Sequence, residues 1–366
     1  MGLVPERLKE IRLLRGYTLE QVAEKIGVSK QAVSKYEAGK AVPATDTLTR
    51  ILQLYKIRQS YLTNQRELPT ERSMVFYRTA KRTPIKIKEV AEVYLKWFYE
   101  MILVVDEAVC PVKKPDLPQM PPDLSIQKKA ALLREAWNLG DEAIFDMVSL
   151  LERHGFCLFT VDWEEKRIDG FSQVIGSRPI IILNAKKGTK ERRRFSIAHE
   201  LAHIILHQSE RGLTDEMEKE ADEFAGCFLM PGHMIKADLI RNDADYFVEL
   251  SRKWGVSPQA VVERCSNLKL LGRNEEENEA KRSNLHQKLN RRIKEESCDN
   301  VCSIRPALDI IEADSTVAKR FFGELQLPVK ELQQLCGLSD EVVYYDQPNR
   351  IENINDIEGT QMSFIF

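Results

Sequence analysis

The sequence of 366 residues predicts an α+β protein that is mostly helical. Short capped helical segments fill residues 5–62, and apolar residues recur at helical spacing in 90–105 and in segments up to residue 268. The segments "CLFTVDW" and "PIIILN" are rich in β-branched and aromatic residues and are punctuated by glycine and proline, which indicates a small antiparallel sheet around 156–184. We expect an N-terminal five-helix bundle followed by a domain that contains this sheet.

The length allows two or three domains, each able to bury its own core. The net charge of -2 is unevenly distributed, because residues 1–62 hold 11 Lys and Arg against 6 Asp and Glu. A basic end on a nearly neutral chain suggests a polyanion partner for that end, although so modest an excess also fits a solvated face.

Four regions follow from the changes in composition. Residues 1–65 form the basic helical bundle, and 66–125 form a helical connector that ends in the proline-rich "CPVKKPDLPQMPPD", expected to be a linker or a surface loop. Residues 126–270 contain the sheet and further helices. Residues 271–366 have no interpretable role, and their charged start is either an exposed helix or a linker.

The chain has features of a cytoplasmic protein. Its first residues lack the long apolar core of a secretory signal, and no apolar run approaches about 18 residues, which argues against a membrane span. The seven cysteines form no framework of pairs, so reduced thiols are expected.

The run "RFSIAHELAHIILH" contains an HExxH pattern. His199 and His203 are four residues apart, so both imidazoles project from one face of a helix and can reach one metal ion. Glu200 is offset by one residue, where its carboxylate can act on a water without becoming a ligand. A buried helix that merely contains histidines remains the alternative when the pattern stands alone.

A third ligand is expected on the next helix, in "EMEKEADEFAGCFLMP". The strict HExxHxxGxxH arrangement is absent, and His207 lies one more turn along the helix, where we expect it to pack or to donate a hydrogen bond. Glu218 is placed to complete the metal shell, and Asp222 to accept the free ring N–H of a liganding histidine. The alternative is a solvated acidic face.

Four motifs, in order, resemble the ImmA/IrrE family of bacterial and phage metallopeptidases: "LLREAWNLG", "DGFSQVIGSRPIIILN", "RRRFSIAHELAHIILH" and "EKEADEFAGCFLMP". The resemblance covers about 100 residues within 130–235. It implies a zincin-like domain with an HExxH active-site helix, Zn²⁺ held by His199, His203 and Glu218, and Glu200 as general base. The chain departs from the family at Ala202, where glycine is frequent, and at Asp222, where asparagine is common.

The N-terminal region contains a helix-turn-helix pattern. Thr18 is placed to cap a helix that ends at Gly27, and Ser29 to cap a second helix that runs to about Ala38. Two helices joined by a tight glycine turn place the second helix in the DNA major groove. A generic helical bundle for dimerisation or protein binding is the alternative.

The second helix supplies the candidate DNA contacts. Glutamine can recognise adenine, and lysine can reach guanine or phosphate. The segment, including "VSKYEAGK", resembles the Xre/Cro family of phage and plasmid repressors over about 55 residues, which favours operator DNA as a partner and leaves a homodimer open. The expected DNA-binding residues are Lys30, Gln31, Ser34, Lys35 and Lys40.

Two functions are compatible with these motifs. The first is a DNA-binding transcriptional regulator with zinc-dependent endopeptidase activity that cleaves a repressor or antitoxin-like protein and so releases genes from control. The second is a non-proteolytic or self-cleaving DNA-binding repressor whose zinc site is structural or sensory. Glu200 favours the first, because a structural zinc site has no need of a general base.

Overall fold

The computed structural model describes residues 2–64, 66–79, 85–109, 111–163, 168–186, 189–207, 214–290 and 298–339. The chain divides into two compact units. The first contains the described residues of Met1–Glu67, Glu100–Cys110 and Arg305–Phe366, and the second those of Leu68–Tyr99 and Pro111–Ile304. Parts of the predicted C-terminal region, 291–297 and 340–366, lie outside the described residues.

The described part of the chain is mostly helical, as predicted. In chain order the helices are α1 (Pro5–Leu14), α2 (Leu19–Ile26), α3 (Lys30–Glu37), α4 (Thr45–Tyr55), α5 (Gln59–Thr63), α6 (Ile85–Ala108), α7 (Ile126–Ala136), α8 (Met147–Arg153), α9 (Lys190–Leu206), α10 (Asp215–Leu229), α11 (Gly232–Asp238), α12 (Ala244–Trp254), α13 (Pro258–Asn267), α14 (Glu275–Asn290), α15 (Arg305–Ala313), α16 (Ser315–Leu325) and α17 (Val329–Cys336). The strands are β1 (Phe76–Thr79), β2 (Cys157–Val161), β3 (Ile168–Ile175) and β4 (Arg178–Asn184).

The first unit begins with the predicted five-helix bundle, α1 to α5. The Thr18 side chain accepts a hydrogen bond from the backbone N–H of Gln21, whose own side chain accepts one from Thr18, which is a capping box at the start of α2. Gly27 ends α2 at a φ of 67°, in the left-handed region that glycine adopts without strain. At the start of α3 the Ser29 side chain accepts a hydrogen bond from the backbone N–H of Ala32.

Helices from distant parts of the chain complete the first unit. The guanidinium of Arg7 on α1 is buried, and it donates hydrogen bonds to Glu10 at 2.9 Å and to Glu100 of α6 at 2.6 Å. Arg15 forms an ion pair with Glu331 of α17 at 2.6 Å. The helices α15 to α17 therefore belong to the same unit as the N-terminal bundle.

The second unit contains the predicted sheet, but the sheet is mixed rather than antiparallel. The strand order is β1-β3-β4-β2, with β1 and β4 antiparallel to β3 and with β2 parallel to β4. The prediction was wrong about the parallel pair because the periodicity of a strand gives its faces and not its neighbours in space. The sheet also gains β1 from the connector, for which the sequence predicted helical structure and no strand.

Helices pack on the sheet to form the core of the second unit. All residues of β2 and β4 are buried, which explains their continuous apolar runs. Among these helices, α8 starts after the N-cap Asp146. The charged segment after residue 271 includes the helix α14, one of the two predicted alternatives.

The proline-rich segment after residue 110 lies in the second unit without helix or strand in its described residues. The Arg178 side chain donates hydrogen bonds to the carbonyl oxygens of Val112 and Lys113. The indole N–H of Trp137 donates to the carbonyl of Asp116. Among the described helices, none is long and apolar enough to cross a membrane.

Candidate metal centre

The helix α9 carries the HExxH pattern through the core of the second unit. Thr189 caps its first turn, and its apolar side chains, Ile197, Leu201 and Ile204, are buried in the core. This fixes the opposite face, on which His199, Glu200 and His203 are only 1%, 0% and 0% exposed. Burial of three polar side chains on one helix requires polar partners nearby.

The helix α10 supplies such partners for the two histidines. Thr214 caps it, and Ala221 and Ala225 are fully buried, which allows close packing of helices. Glu218 then reaches the histidines of α9: its carboxylate oxygens lie 3.6 Å from His199 Nε2 and 3.2 Å from His203 Nε2.

These three side chains form a compact cluster of ligand atoms. The Nε2 atoms of His199 and His203 are 3.0 Å apart, and the ligand atoms of the three residues all lie within 4.8 Å of one another. Tetrahedral ligands at about 2.0–2.1 Å from a zinc ion are roughly 3.3 Å apart, so the spacing fits such an ion. Two imidazoles and one carboxylate are a donor set that zinc accepts, with a fourth position left for water.

The charge of Glu218 is stabilised within the cluster. Burial of this carboxyl favours its neutral form, but hydrogen bonds and the charges of His199 and His203 outweigh burial and lower the Glu218 pKa to about 2. The side chain therefore stays anionic at neutral pH, which is the form that binds a cation.

Each cluster histidine makes a second contact through its other ring nitrogen. His199 Nδ1 lies 2.8 Å from Asp222 Oδ1, the pairing expected from the i, i+4 spacing of Glu218 and Asp222. His203 Nδ1 lies 3.2 Å from His207 Nδ1, and His207 Nε2 lies 2.7 Å from Glu220 Oε2. Both contacts direct the histidine Nε2 atoms toward Glu218.

Glu200 contacts the sheet. Its Oε2 accepts a hydrogen bond of 2.6 Å from the hydroxyl of Ser172, a fully buried residue of β3. A Cβ at Gly170, two residues earlier on the same strand, would lie 3.5 Å from Glu200 Oε1 and 3.0 Å from the Ile182 carbonyl. The distance to Glu200 is an ordinary contact, whereas the Ile182 carbonyl is close enough that a Cβ at this position would crowd the β3–β4 pairing.

An aromatic side chain from the connector covers the cluster. The ring of Phe76 on β1 stacks on the His203 imidazole, with centroids 4.9 Å apart and planes inclined by 6°. The sequence did not predict Phe76, Ser172 or Glu220 as neighbours of the cluster. The HExxH spacing gave no signal for them, because each lies on a different element from α9.

The candidate DNA contacts lie on the first unit. Lys30, Gln31, Ser34 and Lys35 are exposed along α3, and Lys40 is exposed in the turn that follows. The buried residue of α3 is Val33. On the first unit, the polar face of α3 is therefore exposed and can contact a ligand.

Two family models match the chain. A helix-turn-helix model matches residues 8–62, and the peptidase M78 model, described as an IrrE N-terminal-like domain, matches residues 151–266. The second match includes α9, α10 and three of the four described strands, but it begins after β1.

Curated relatives are bacterial regulators. Over 63 residues the chain is 38% identical to the HTH-type transcriptional regulator ImmR of Bacillus subtilis, covering 17% of this chain and 50% of the relative. It is 37% identical over 57 residues to YonR, an HTH-type regulator from the SPbeta prophage of the same species (16% and 53%). It is 36% identical over 75 residues to PuuR of Escherichia coli (20% and 40%).

The chain spans about half the length of the first two of these relatives. The two family models match separate parts of the sequence, each around one of the motifs described above. The chain therefore joins a helix-turn-helix domain at residues 8–62 to a peptidase M78 domain, of the IrrE N-terminal-like type, at residues 151–266.

Proposed function

We propose that this protein is a DNA-binding transcriptional regulator with a zinc-dependent endopeptidase site. The observation that carries the peptidase part is the approach of His199 Nε2, His203 Nε2 and the Glu218 carboxylate to one another beside Glu200. The likeness to HTH-type regulators supports the DNA-binding part.

His199, His203 and Glu218 would hold the zinc ion. When bound, zinc polarises the carbonyl of a peptide bond and lowers the pKa of water toward 7. Asp222 and His207, the latter paired with Glu220, would accept the Nδ1–H of the two imidazoles and so leave each Nε2 free to bind the ion.

Glu200 is the general base in this proposal. Its carboxylate removes a proton from the water that attacks the peptide carbonyl carbon, and it delivers that proton to the amine nitrogen as the C–N bond breaks. The hydroxyl of Ser172 holds Glu200 Oε2 through a 2.6 Å hydrogen bond and so fixes the orientation of the base.

The alternative is a structural or sensory zinc site. A structural zinc site is normally closed by four protein ligands. Among the described residues, the candidate metal group contains only His199, His203 and Glu218. Three ligands and a neighbouring carboxylate favour the catalytic assignment.

The peptidase proposal is tested with the zinc-loaded full chain and fluorescein-labelled casein, an unfolded protein substrate. Wild type should release labelled fragments, and Glu200→Gln should not. Glu216→Gln is the matched control, because Glu216 is an exposed carboxylate on α10 that pairs with Lys219. Equal cleavage by wild type and Glu200→Gln would refute the assignment of the base.

We propose cleavage in trans, of a repressor or antitoxin-like protein, with self-cleavage as the second candidate. Wild type and Glu200→Gln are incubated with zinc, alone and mixed, and chain lengths are followed by mass spectrometry. Proteins encoded beside this gene are then added as substrates. If wild type cuts the Glu200→Gln chain between residues 63 and 125 with no other protein present, the protein is its own substrate.

The DNA-binding proposal rests on α3. Gln31 and Ser34 lie where side chains of a second helix reach base edges, and Lys35 and Lys40 are placed to contact phosphates. Fluorescence anisotropy of the intact protein on a duplex from its own upstream region tests this. Equal affinity for that duplex and for random DNA would leave only non-specific electrostatic binding.

A further inference from the structure

The HExxH side chains of the candidate centre are buried in this structure, whereas the Glu218 side chain is 28% exposed. His199, Glu200 and His203 are each at most 1% exposed, so a substrate carbonyl cannot reach them while their surroundings stay in place. A peptidase site must admit an extended segment of its substrate. Some part of the covering structure therefore has to leave before peptide hydrolysis.

The strand β3 is the element on which a substrate segment would have to bind. It contacts Glu200 through Ser172 and passes it again at Gly170. Extended peptides bind to sheets by adding a strand to an edge, through main-chain hydrogen bonds. One edge of β3 pairs with β4, so the other edge is the one that a peptide could join.

That other edge is occupied by the connector of the same chain. Phe76 pairs with Ser172 and Tyr77 with Phe171 in the antiparallel β1–β3 ladder. The pairing extends upstream of β1, where Ser73 N–H donates to the Val174 carbonyl at 2.9 Å and Gly176 N–H donates to the Glu71 carbonyl at 2.7 Å.

The side chain of Phe76 faces the candidate centre. Residues directly opposite each other in an antiparallel pair project to the same face, so Phe76 shares the face from which Ser172 contacts Glu200. The ring is fully buried against His203 and tilts against His207, with centroids 6.4 Å apart. The connector strand thus combines main-chain pairing with a side chain seated over a candidate ligand.

We propose that residues 71–79 act as an internal occupant of the peptide-binding edge of β3, and that release of this strand admits a substrate. The inference rests on the proposed endopeptidase function and assigns the regulation of its site. A peptide paired with the outer edge of β1 would lie two strand spacings, roughly 10 Å, from β3. At that distance the Glu200 carboxylate could not act on its peptide bond. The short length of β1 and the register shift between Arg78 and Thr79 favour release.

A reversible covalent lock tests this proposal. Tyr77 and Phe171 are opposite one another, with ring centroids 6.1 Å apart, on the face that alternates with that of Phe76. Directly opposite residues of an antiparallel pair have Cα atoms about 4.5–5.5 Å apart, within the range that a disulfide bridges. In the zinc-loaded full chain, the double variant Tyr77→Cys/Phe171→Cys is oxidised with diamide and later reduced. Each single variant, treated identically, is the matched control.

The first readout is binding of a fluorescent tripeptide hydroxamate, which needs both the metal and a strand edge, measured by polarisation after the zinc content of each form is checked. The oxidised double variant should lose binding at least about tenfold relative to its reduced form, because the local opening is blocked. Cleavage of labelled casein should likewise be lower for the oxidised double variant than for its reduced form. Single variants should not respond to diamide.

A second variant keeps the test decisive if the cysteine pair impairs folding. Phe76→Ala should increase hydroxamate binding, whereas Phe98→Ala should not, although it removes another fully buried ring, one stacked on Phe159. Equal hydroxamate binding by locked and reduced forms, or no binding by any zinc-loaded form, would overturn the occupant proposal. Binding that follows the lock without casein cleavage in any form would instead refute the peptidase function and leave the occupant in place.

Discussion

His207 Nδ1 lies 3.2 Å from His203 Nδ1, and the other nitrogen of His207 lies 2.7 Å from a Glu220 oxygen. If His203 Nε2 is to face a metal, His203 Nδ1 carries the ring proton and donates a hydrogen bond to His207 Nδ1. His207 Nε2 then donates to Glu220. The contact between the two histidines therefore specifies the tautomer of His203 from outside the cluster.

The contacts from His203 through His207 to Glu220 should increase the zinc affinity of the protein. His207→Phe keeps a ring but removes the acceptor for His203, so zinc affinity should fall by about 10–100-fold. Glu220→Ala should also lower the zinc affinity. Zinc affinity is measured by competition with a chromophoric chelator, with Glu216→Ala as the exposed control on α10. Unchanged affinity in both variants would show that His207 only packs.

Metal retention and catalysis should separate at α9. His199→Ala and Glu218→Ala each remove a proposed ligand and should lower the zinc content of the purified protein below about one ion per chain. Glu200→Gln should keep the zinc while casein cleavage falls by about 10²–10⁴-fold, because the proton acceptor is gone. Metal analysis by mass spectrometry would contradict this division if Glu200→Gln lost zinc as completely as His199→Ala.

Chelation should destabilise the second unit. Zinc that binds only the folded protein adds about 4 kcal/mol at a free concentration a thousand times its dissociation constant. Removing it with EDTA should lower the corresponding thermal transition, and added zinc should restore it. His199→Ala should show no shift with either treatment. A zinc-dependent shift of equal size in His199→Ala would place the stabilising ion elsewhere.

The buried ion pair of the first unit should contribute strongly to its stability. Glu100→Ala leaves the Arg7 guanidinium buried without its 2.6 Å partner, which should lower the free energy of unfolding by about 3–5 kcal/mol. Asp46→Ala, which removes the exposed partner of Arg50, should change it by less than about 1 kcal/mol. Urea unfolding followed by circular dichroism measures both, and equal effects would mean that the buried pair is not special.

On DNA, the substitutions in α3 should fall into two classes. Gln31→Ala and Ser34→Ala should reduce discrimination between the upstream duplex and random DNA, by about 1–3 kcal/mol for a lost base contact. Lys35→Ala and Lys40→Ala should weaken binding to both duplexes and flatten the salt dependence. Lys128→Ala, on an exposed site of α7, is the control. If both classes of variant changed the affinity for the two duplexes in the same way, α3 would not be the helix that recognises the DNA sequence.

Local chemistry explains what the sequence predicted correctly. The capping residues Thr18 and Ser29 and the left-handed Gly27 act within a few residues of their own helices, so their effects are visible in the sequence. The spacing of His199 and His203 likewise fixes their shared face. Glu218 lies beside the histidines, as the acidic segment that follows α9 suggested, and its role as a metal ligand stays a prediction.

Long-range contacts explain what the sequence did not reveal. Phe76 meets His203 from 127 positions away in the chain, and the β1–β3 pairing that brings it there has no signature in a four-residue strand within a polar stretch. The parallel pairing of β2 with β4 was hidden for the same reason, since alternation within a strand does not specify its neighbour. Glu100 and Glu331 likewise contact Arg7 and Arg15 across 93 and 316 positions of the chain.

The first unit is assembled from segments on both sides of the second in the chain, including Met1–Glu67 and the helices α15 to α17. A single cut anywhere between residues 111 and 304 would therefore give two polypeptides that both retain a share of the same unit. Non-covalent contacts such as that of Arg15 with Glu331 would hold the pieces together after the bond is broken. Autolysis between residues 111 and 304 would yield a nicked complex that still contains α3. The proposed DNA-binding helix would then not separate from the protein as a free fragment.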